Sequence, residues 1–435
     1  MLPADDPRAP SDRHAPSWYA GRRPPSAPAA PLAGPLECEF CVVGAGFTGT
    51  SAALHLARAG RDVVVLEQSL VGWGASGRNG GQVHVGMRRD QPWLEARLGV
   101  PTARALWRLA LDAREHLDWL VEGLGIDCDF RPGLLHADHK PRYVAHTRDY
   151  VRYLNDRYDY PHVRFLDREQ VRAEVATDEY HGGMLDARAG HLDPLALVRG
   201  IGAHARSAGA RLYERTPVTA LARDGGTWRI ATPAGEVRAA GIVLAGDGYL
   251  HGLAPEVESR VMPINNFIAV TEPLGAERAR SLIPRDVAVA DSRFVVNYYR
   301  TTADHRLLFG GGETYSFAFP ADVGEFVRPH FARVFPSLAD VRIDYAWGGA
   351  VSVTPHRLPY VRELAPGLVN ASGYSGLGVV LAPYTGKILA EALLGERREF
   401  ELLAGLPVPR FPGGRWLRRP TLVAAMTWYA LRDRL

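Results

Sequence analysis

Apolar and polar positions first fall into a regular pattern at residue 37. Glu37 to Val43 is an apolar run with β-branched residues that ends at Gly44, the mark of a buried strand. Phe47 to Ala59 is rich in Ala and Leu and closes at Gly60, which predicts a helix with a glycine C-cap. Asp62 to Leu66, ending Val-Val-Val-Leu, reads as a second buried strand. Strand, helix and strand within about thirty residues form the βαβ unit of a parallel sheet. Downstream, the pattern predicts a helix over 102–121 with Pro101 at or just before its start. Another is expected over 194–207, with Asp193 as N-cap and Pro194 in first position. Strands are expected over 211–221 and 241–245. Short strands at hairpin spacing follow between about 260 and 345, including 267–271, 294–299 and 306–309. A last helix is expected over 386–394, after a glycine-rich turn. No internal repeat is visible.

The βαβ character sits at the start, middle and end of the chain, with a strand-rich block between. This order predicts an α/β fold: a discontinuous Rossmann-like nucleotide-binding domain into which a mostly antiparallel β-sheet domain is inserted. The expected boundaries are 37–90, 185–260 and 346–400 for the nucleotide-binding domain, and 91–184 with 261–345 for the inserted one. Residues 1–36, broken by repeated prolines, read as a poorly ordered lead, and 401–435 as a C-terminal tail. Within the lead, Ser17-Trp18-Tyr19-Ala20 carries two adjacent aromatics expected to dock on the folded body.

Composition narrows the function. Of 435 residues, 46% are apolar and 23% charged, so most of the chain should fold. Lys and Arg number 51 and Asp and Glu 48, a net charge of +3. That balance argues against nucleic acid as the partner. No run of about 18 apolar residues is present, so no membrane span is expected. With no secretory signal pattern and only Cys38, Cys41 and Cys128, a reducing cytoplasm is the expected setting. Lys140 and Lys387 are the only lysines, so Schiff-base catalysis has just two places to occur. Cys38 and Cys41 spell C-x-x-C, but an offset of three on a strand puts them on opposite faces, against a redox or zinc role. No metal site is expected.

Gly44-Ala45-Gly46-Phe47-Thr48-Gly49 is G-x-G-x-x-G, placed where a strand feeds a helix. Gly44 permits the tight turn, Gly46 lets the backbone approach a pyrophosphate, and Gly49 lets helix and strand pack. The helix start then offers N–H groups and a positive dipole end to phosphate. Glu67, with Gln68 beside it, ends the second strand, where a carboxylate accepts hydrogen bonds from ribose hydroxyls. The segment from Gly72 to Gln82 is glycine-rich. It can wrap a flat ligand, with Ala75, Ser76, Asn79, Gly80, Gly81 and Gln82 in contact and Arg78 neutralising a phosphate. The fingerprint alone does not separate NAD from FAD; a third glycine turn, Gly373-Tyr374-Ser375-Gly376-Leu377-Gly378, feeds another helix start that can face negative charge, such as that of a reduced flavin ring.

These segments resemble the FAD-dependent amine and amino-acid oxidase (DAO) family, in its γ-glutamylputrescine oxidase-like branch. Asn297 to Arg300, Arg306 to Gly311, Trp347-Gly348-Gly349 and Phe411 to Arg415 extend the resemblance over nearly the whole chain from residue 17. Leu377, Val83-His84 and His356 depart from the pattern of its best-known members. The resemblance implies a D-amino-acid-oxidase-like fold and bound FAD, with cofactor contacts at Val218 and Gly246 as well. It also implies oxidation of the C–N bond of a small amine, γ-glutamylputrescine or a similar polyamine derivative, with O2 reduced to H2O2. A dehydrogenase or oxidase of the same fold acting on another amine or amino acid is the alternative; a non-catalytic FAD-binding subunit is the alternative of another class. Ser76 to Gln82 contains no histidine and no cysteine follows Cys128, so the FAD is expected to be non-covalent. By analogy with related amino-acid oxidases, Arg300 is the candidate anchor for a substrate carboxylate. Tyr298 alternates with Tyr299 along its strand, so that one of them faces the substrate. Trp347 is a candidate pocket wall, and His84 and His356 are candidates for assisting amine deprotonation.

Overall fold

The computed structural model describes residues 9, 11–23, 28–250, 252–314 and 318–413. Its first sheet is built on parallel strands. Leu36–Val43 lies between Val63–Leu66 and Gly235–Leu244, with Arg211–Tyr213 and Leu368–Ser372 continuing the parallel run on either side. Tyr360–Ala365 closes one edge antiparallel, and the hairpin Ala220–Asp224 with Thr227–Thr232 extends from Gly235–Leu244. Val63–Leu66 is buried at every position, as expected of a strand covered on both faces. The helix Phe47–Arg58 packs on that strand, and Pro194–Ser207 and Gly378–Leu393 pack in turn on the helix. Because Leu36–Val43 has neighbours that run off in opposite directions of the chain order, its carboxyl end is a topological switch point, where open α/β sheets bind ligands.

The second sheet is mostly antiparallel. Its main path runs Ile343–Val353, Met262–Thr271, Leu307–Thr314, Tyr298–Thr301, Ala288–Asp291, Arg131–Ala137, Gly182–His191 and Gln82–Val83. Parallel pairing occurs only between Ala288–Asp291 and Arg131–Ala137 among the described residues. The chain is therefore α/β, with a discontinuous Rossmann-like sheet and an inserted antiparallel one.

Several boundaries shift. Gln82–Val83, Gly182–His191 and Ile343–Val353 all hydrogen-bond into the second sheet, so crossings expected at 90/91, 184/185 and 345/346 fall elsewhere. Alternation along Ile343–Val353 does not reveal which sheet it joins; its long register with Met262–Thr271 decides that. The helix expected over 386–394 begins at Gly378 and carries Pro383 in its interior. The segment 211–221 is two short strands rather than one.

The lead is not the poorly ordered segment expected wherever it is described. Trp18–Arg22 is a short helix capped by Ser17, with Trp18 and Tyr19 buried. Trp18 Nε1 donates to Asp304 Oδ1 at 3.1 Å, and the Tyr19 hydroxyl donates to the Asn79 carbonyl at 2.9 Å. Leu32 is buried with its N–H on Thr216 Oγ1 at 3.0 Å. Proline prevents regular structure here but not docking. Of the tail, Arg398–Ala404 is helical with Phe400 and Leu403 buried. Gly414 and Arg415 of the Phe411 segment lie outside the described residues.

Candidate active site

One cavity of ≈ 1370 Å³ opens at the switch point and runs down to the face of the second sheet. It is larger than the roughly 300–1,000 Å³ of an ordinary small-molecule site, which leaves room for a dinucleotide and a substrate together.

At the nucleotide end, Gly44 sits at φ +102°, a left-handed-side conformation that glycine adopts without strain. A Cβ on Gly49 would lie 1.8 Å from the Gly44 carbonyl oxygen, so the third glycine of the fingerprint is a packing requirement. Gly49 does not line the cavity; Gly44, Gly46, Phe47 and Thr48 do. The helix Phe47–Arg58 has no side-chain cap at Gly46, leaving its positive end turned to the cavity. Glu67 is buried, with Oε2 accepting from Ala45 N–H at 2.7 Å and Oε1 from Ser69 N–H at 2.8 Å. Burial pushes its carboxyl up to about 7, against those two N–H groups. Gln68, Val218 and Gly246 line the same end.

The loop after the second strand folds over this helix start. Ser76 Oγ accepts the Phe47 N–H at 2.9 Å, and Ala75, Ser76, Asn79, Gly80 and Gln82 line the cavity. Gly81, at φ +74°, instead packs where a Cβ would meet the Leu192 carbonyl. Arg78 is clamped with its guanidinium 4.3 Å from the Trp73 ring centroid and Nε on the Trp73 carbonyl at 2.7 Å. It lines the cavity, and no carboxylate pairs with it among the described residues. A buried cation of this kind calls for an anionic ligand.

The third glycine turn arrives from the opposite side. Tyr374, Ser375, Gly376, Leu377 and Gly378 line the cavity. Gly373 stands behind it, its N–H donated to Asp247 Oδ1 at 2.7 Å. Thr48 Oγ1 and the Tyr374 hydroxyl, 2.7 Å apart, tie the two ligand-facing segments together. The helix Gly378–Leu393 also lacks a side-chain cap. Two helix starts at glycine turns, a buried arginine without a carboxylate partner among the described residues and a buried carboxylate at the end of the second strand make a donor set that fits FAD.

The floor is the second sheet. His136, Ala290, Tyr298 and Gly310 are paired in turn across four strands, so they share one face. Asn266 pairs with Glu313 on one side and Gly349 on the other. The Tyr298 hydroxyl donates to Asn266 Oδ1, and burial pushes its ionisation well up. His84 Nε2 lies 3.2 Å from Gln82 Oε1, and its ring centroid is 5.3 Å from that of His136. Burial holds both imidazoles neutral, with Arg88 as an added cause. His136 is lowered to about 4 and His84 lies well below the usual histidine range.

Three expected site residues lie elsewhere. Arg300 is buried away from the cavity: Nε donates to the Gly80 carbonyl at 3.1 Å, and Nη2 to the Leu192 carbonyl at 3.0 Å and the Tyr19 hydroxyl at 3.4 Å. Tyr298, on the same strand, lines the cavity, and alternation sends adjacent Tyr299 into the opposite core. His356 packs edge-on to Trp93 outside the cavity lining. Trp347 is core, its Nε1 donating to the Arg78 carbonyl at 2.9 Å. Conversely, Arg88, His136, Asn266, Glu313 and Arg357 line the floor and carried no local motif. Only the pairing of distant strands brings them together.

Residues 39–392 match the family model described as DAO, FAD dependent oxidoreductase. The chain is 40% identical over 418 residues to the probable oxidoreductase OrdL of Rhizobium meliloti, covering 96% of this chain and 97% of the relative. It is also 40% identical over 423 residues to the γ-glutamylputrescine oxidoreductase of Escherichia coli, covering 97% and 99%. Among solved structures, glycine oxidase from Geobacillus kaustophilus aligns with a TM-score of 0.72 at 22% identity, over 86% of this chain and 100% of that one.

Proposed function

This chain belongs to the DAO family of FAD-dependent oxidoreductases, and we propose that it oxidises the C–N bond of a small amine, γ-glutamylputrescine or a similar polyamine derivative, with O2 as the final acceptor. The observation that carries this reading is one cavity that joins the glycine-lined end of the first sheet to the face of the second. The named Escherichia coli relative supports the substrate class.

When bound, FAD supplies the two-electron acceptor for hydrogen leaving the carbon next to nitrogen; water splits the resulting imine to aldehyde and amine or ammonia, and O2 becomes H2O2. The chain's own residues do the rest. The backbone at Gly44–Gly49 and Arg78 hold the phosphates and ring, without a covalent link. Tyr298 and Asn266, joined by their hydrogen bond, form a fixed wall against which the reacting carbon is oriented. His84 and His136, both neutral, add no charge to repel an ammonium and accept a hydrogen bond from the free amine. The enclosed floor excludes bulk water while the carbon–hydrogen bond breaks. The three cysteines are free thiols, which supports a cytoplasmic setting.

The test is product balance. With γ-glutamylputrescine, O2 uptake, H2O2 and aldehyde should appear in equal amounts. Turnover with a dye but no O2 uptake would make the protein a dehydrogenase, and no turnover with any amine would overturn the reading.

A further inference from the structure

The lead is tied to one wall of the cofactor cavity. That wall is the segment 67–82, in which Glu67, Gln68, Arg78 and Asn79 line the cavity. Between Leu66 and Ala75 it contains no helix or strand, so its place is fixed by hydrogen bonds to other segments rather than by a ladder of its own. Several of these involve the lead. The Ser11 N–H donates to Ser69 Oγ at 3.1 Å, and the N–H of buried Ser69 donates to Glu67 Oε1. Buried Glu214 accepts the Ala29 N–H on Oε2 at 2.5 Å and the Val71 N–H on Oε1 at 2.7 Å, so one carboxylate joins lead to wall. The Tyr19 hydroxyl donates to the Asn79 carbonyl at the other end of the wall. Between the Ser11 and Tyr19 ties, Asp12, Arg13 and Pro16 are exposed, so this stretch crosses the surface.

Ala9 itself lines the cavity. It stands two residues before Ser11, at most about 7 Å along the chain, which places it at the end of the wall that holds Gln68 and Ser69. His14 is half-buried and neutral, because burial lowers it to about 4 and Arg199 and Arg78 push the same way; the lead therefore sets no second cation against Arg78. The pin that holds the lead down lies elsewhere. Trp18 is buried, with Nε1 on Asp304 in the turn between Tyr298–Thr301 and Leu307–Thr314 of the second sheet. Neither Trp18 nor Asp304 lines the cavity, so the anchorage of the lead can be altered without touching a ligand.

We propose that the lead is the latch of the FAD site: the cofactor enters and leaves only while residues 11–19 are lifted off the wall, and the anchorage of Trp18 sets the rate of its release. An elongated dinucleotide in an enclosed cavity leaves only when a wall gives way, and the wall that opens at least cost is one without regular structure. With the lead docked, the wall is held at Ser69 and at Asn79. With it lifted, both ties are lost together and Ala9 leaves the cavity. Ala29 and Leu32, bonded to Glu214 and Thr216, stay in place as the hinge. The inference rests on the flavin reading of the cavity and not on the identity of the amine.

The experiment uses the full-length FAD-loaded enzyme and the variants Trp18→Ala, Asp304→Ala and Leu403→Ala. Asp304 is partly exposed, so its loss removes the pin without opening the core. Leu403, buried in Arg398–Ala404 and outside the cavity lining, is the control for lost stability. Flavin fluorescence after dilution, with no amine present and well below the melting range, reads the release of FAD. Release should be about tenfold or more faster in Trp18→Ala and about tenfold faster in Asp304→Ala. It should keep the wild-type rate in Leu403→Ala despite a lower melting temperature. Wild-type release in Asp304→Ala and in folded Trp18→Ala would overturn the proposal. So would equal acceleration in Leu403→Ala, which would make lost stability the cause. Because no amine is used, these outcomes leave the amine-oxidase reading untouched; a wild-type protein that takes up no FAD would overturn the latch together with the flavin reading.

Discussion

The Tyr298 ring lies so close over Gly310 that a Cβ at that glycine would come within 2.0 Å of Tyr298 Cζ. On its other side, a Cβ at Gly80 would approach the same ring to 2.5 Å. One glycine belongs to the inserted sheet and the other to the loop over the nucleotide end. The ring is thus a wedge clasped between the two parts of the fold, and its hydroxyl is fixed on Asn266. Gly310→Ala should displace the ring and break that bond. Overpacking of this kind costs about 1–3 kcal/mol. The expected result is a lower melting temperature with kcat reduced more than FAD content; an unchanged kcat would show that Tyr298 does not shape the reaction.

Arg300 braces the same junction. Its guanidinium serves the Gly80 and Leu192 carbonyls, which lie on segments far apart in the chain. Arg300→Ala should leave each buried carbonyl short of a donor at roughly 1–3 kcal/mol, seen as a lower urea midpoint. kcat/KM for γ-glutamylputrescine and for acetylputrescine should fall by the same factor. A loss confined to the γ-glutamyl substrate would return Arg300 to the substrate site.

Glu67→Ala removes the acceptor for the Ala45 and Ser69 N–H groups together with the expected ribose acceptor. A loss of about 1–3 kcal/mol corresponds to roughly ten- to hundredfold weaker FAD binding, measured by fluorescence titration of apoprotein. In wild type, acid precipitation should release all flavin to the supernatant; colour kept in the pellet would contradict a non-covalent link.

Much of the nucleotide end was legible in the sequence because its signals are local. A glycine fingerprint between a strand and a helix fixes its own geometry, and Asp193 capping Pro194–Ser207 was readable for the same reason. The floor was not legible. Asn266, Glu313 and Gly349 become neighbours only through strand register, and Arg88 and Arg357 belong to loops without a motif. Arg300 shows the complementary failure. Its strand was readable, and alternation puts it on the same face as Tyr298; Tyr19, Gly80 and Leu192, which come from distant segments, cover it there and wall it off from the cavity. The proline-rich lead misled for a third reason: composition reports the lack of regular structure, while docking depends on the anchors Trp18, Tyr19 and Leu32.

A buried histidine pair predicts acid lability. His55 Nε2 and His116 Nε2 lie 2.9 Å apart. Burial lowers His55 to about 3 and His116 to about 4; His116 and then Lys387 and Arg58 add to the first, and Lys387 to the second. The native state therefore binds fewer protons than the unfolded chain below the ordinary histidine range. Stability should be intact above about pH 6.5 and fall as pH drops toward 4. His116→Gln should flatten the decline of melting temperature across that window; an unaltered slope would show that the pair is not its source.

If the cavity brings an amine to a bound flavin, electrons pass to the flavin without oxygen. Anaerobic addition of γ-glutamylputrescine to the purified holoenzyme tests it most directly, because it removes the question of the final acceptor. The oxidised flavin absorbance should bleach fully and return on admitting air, with one H2O2 formed per flavin. A flavin that stays oxidised through a panel of γ-glutamyl amines, diamines and amino acids would contradict it.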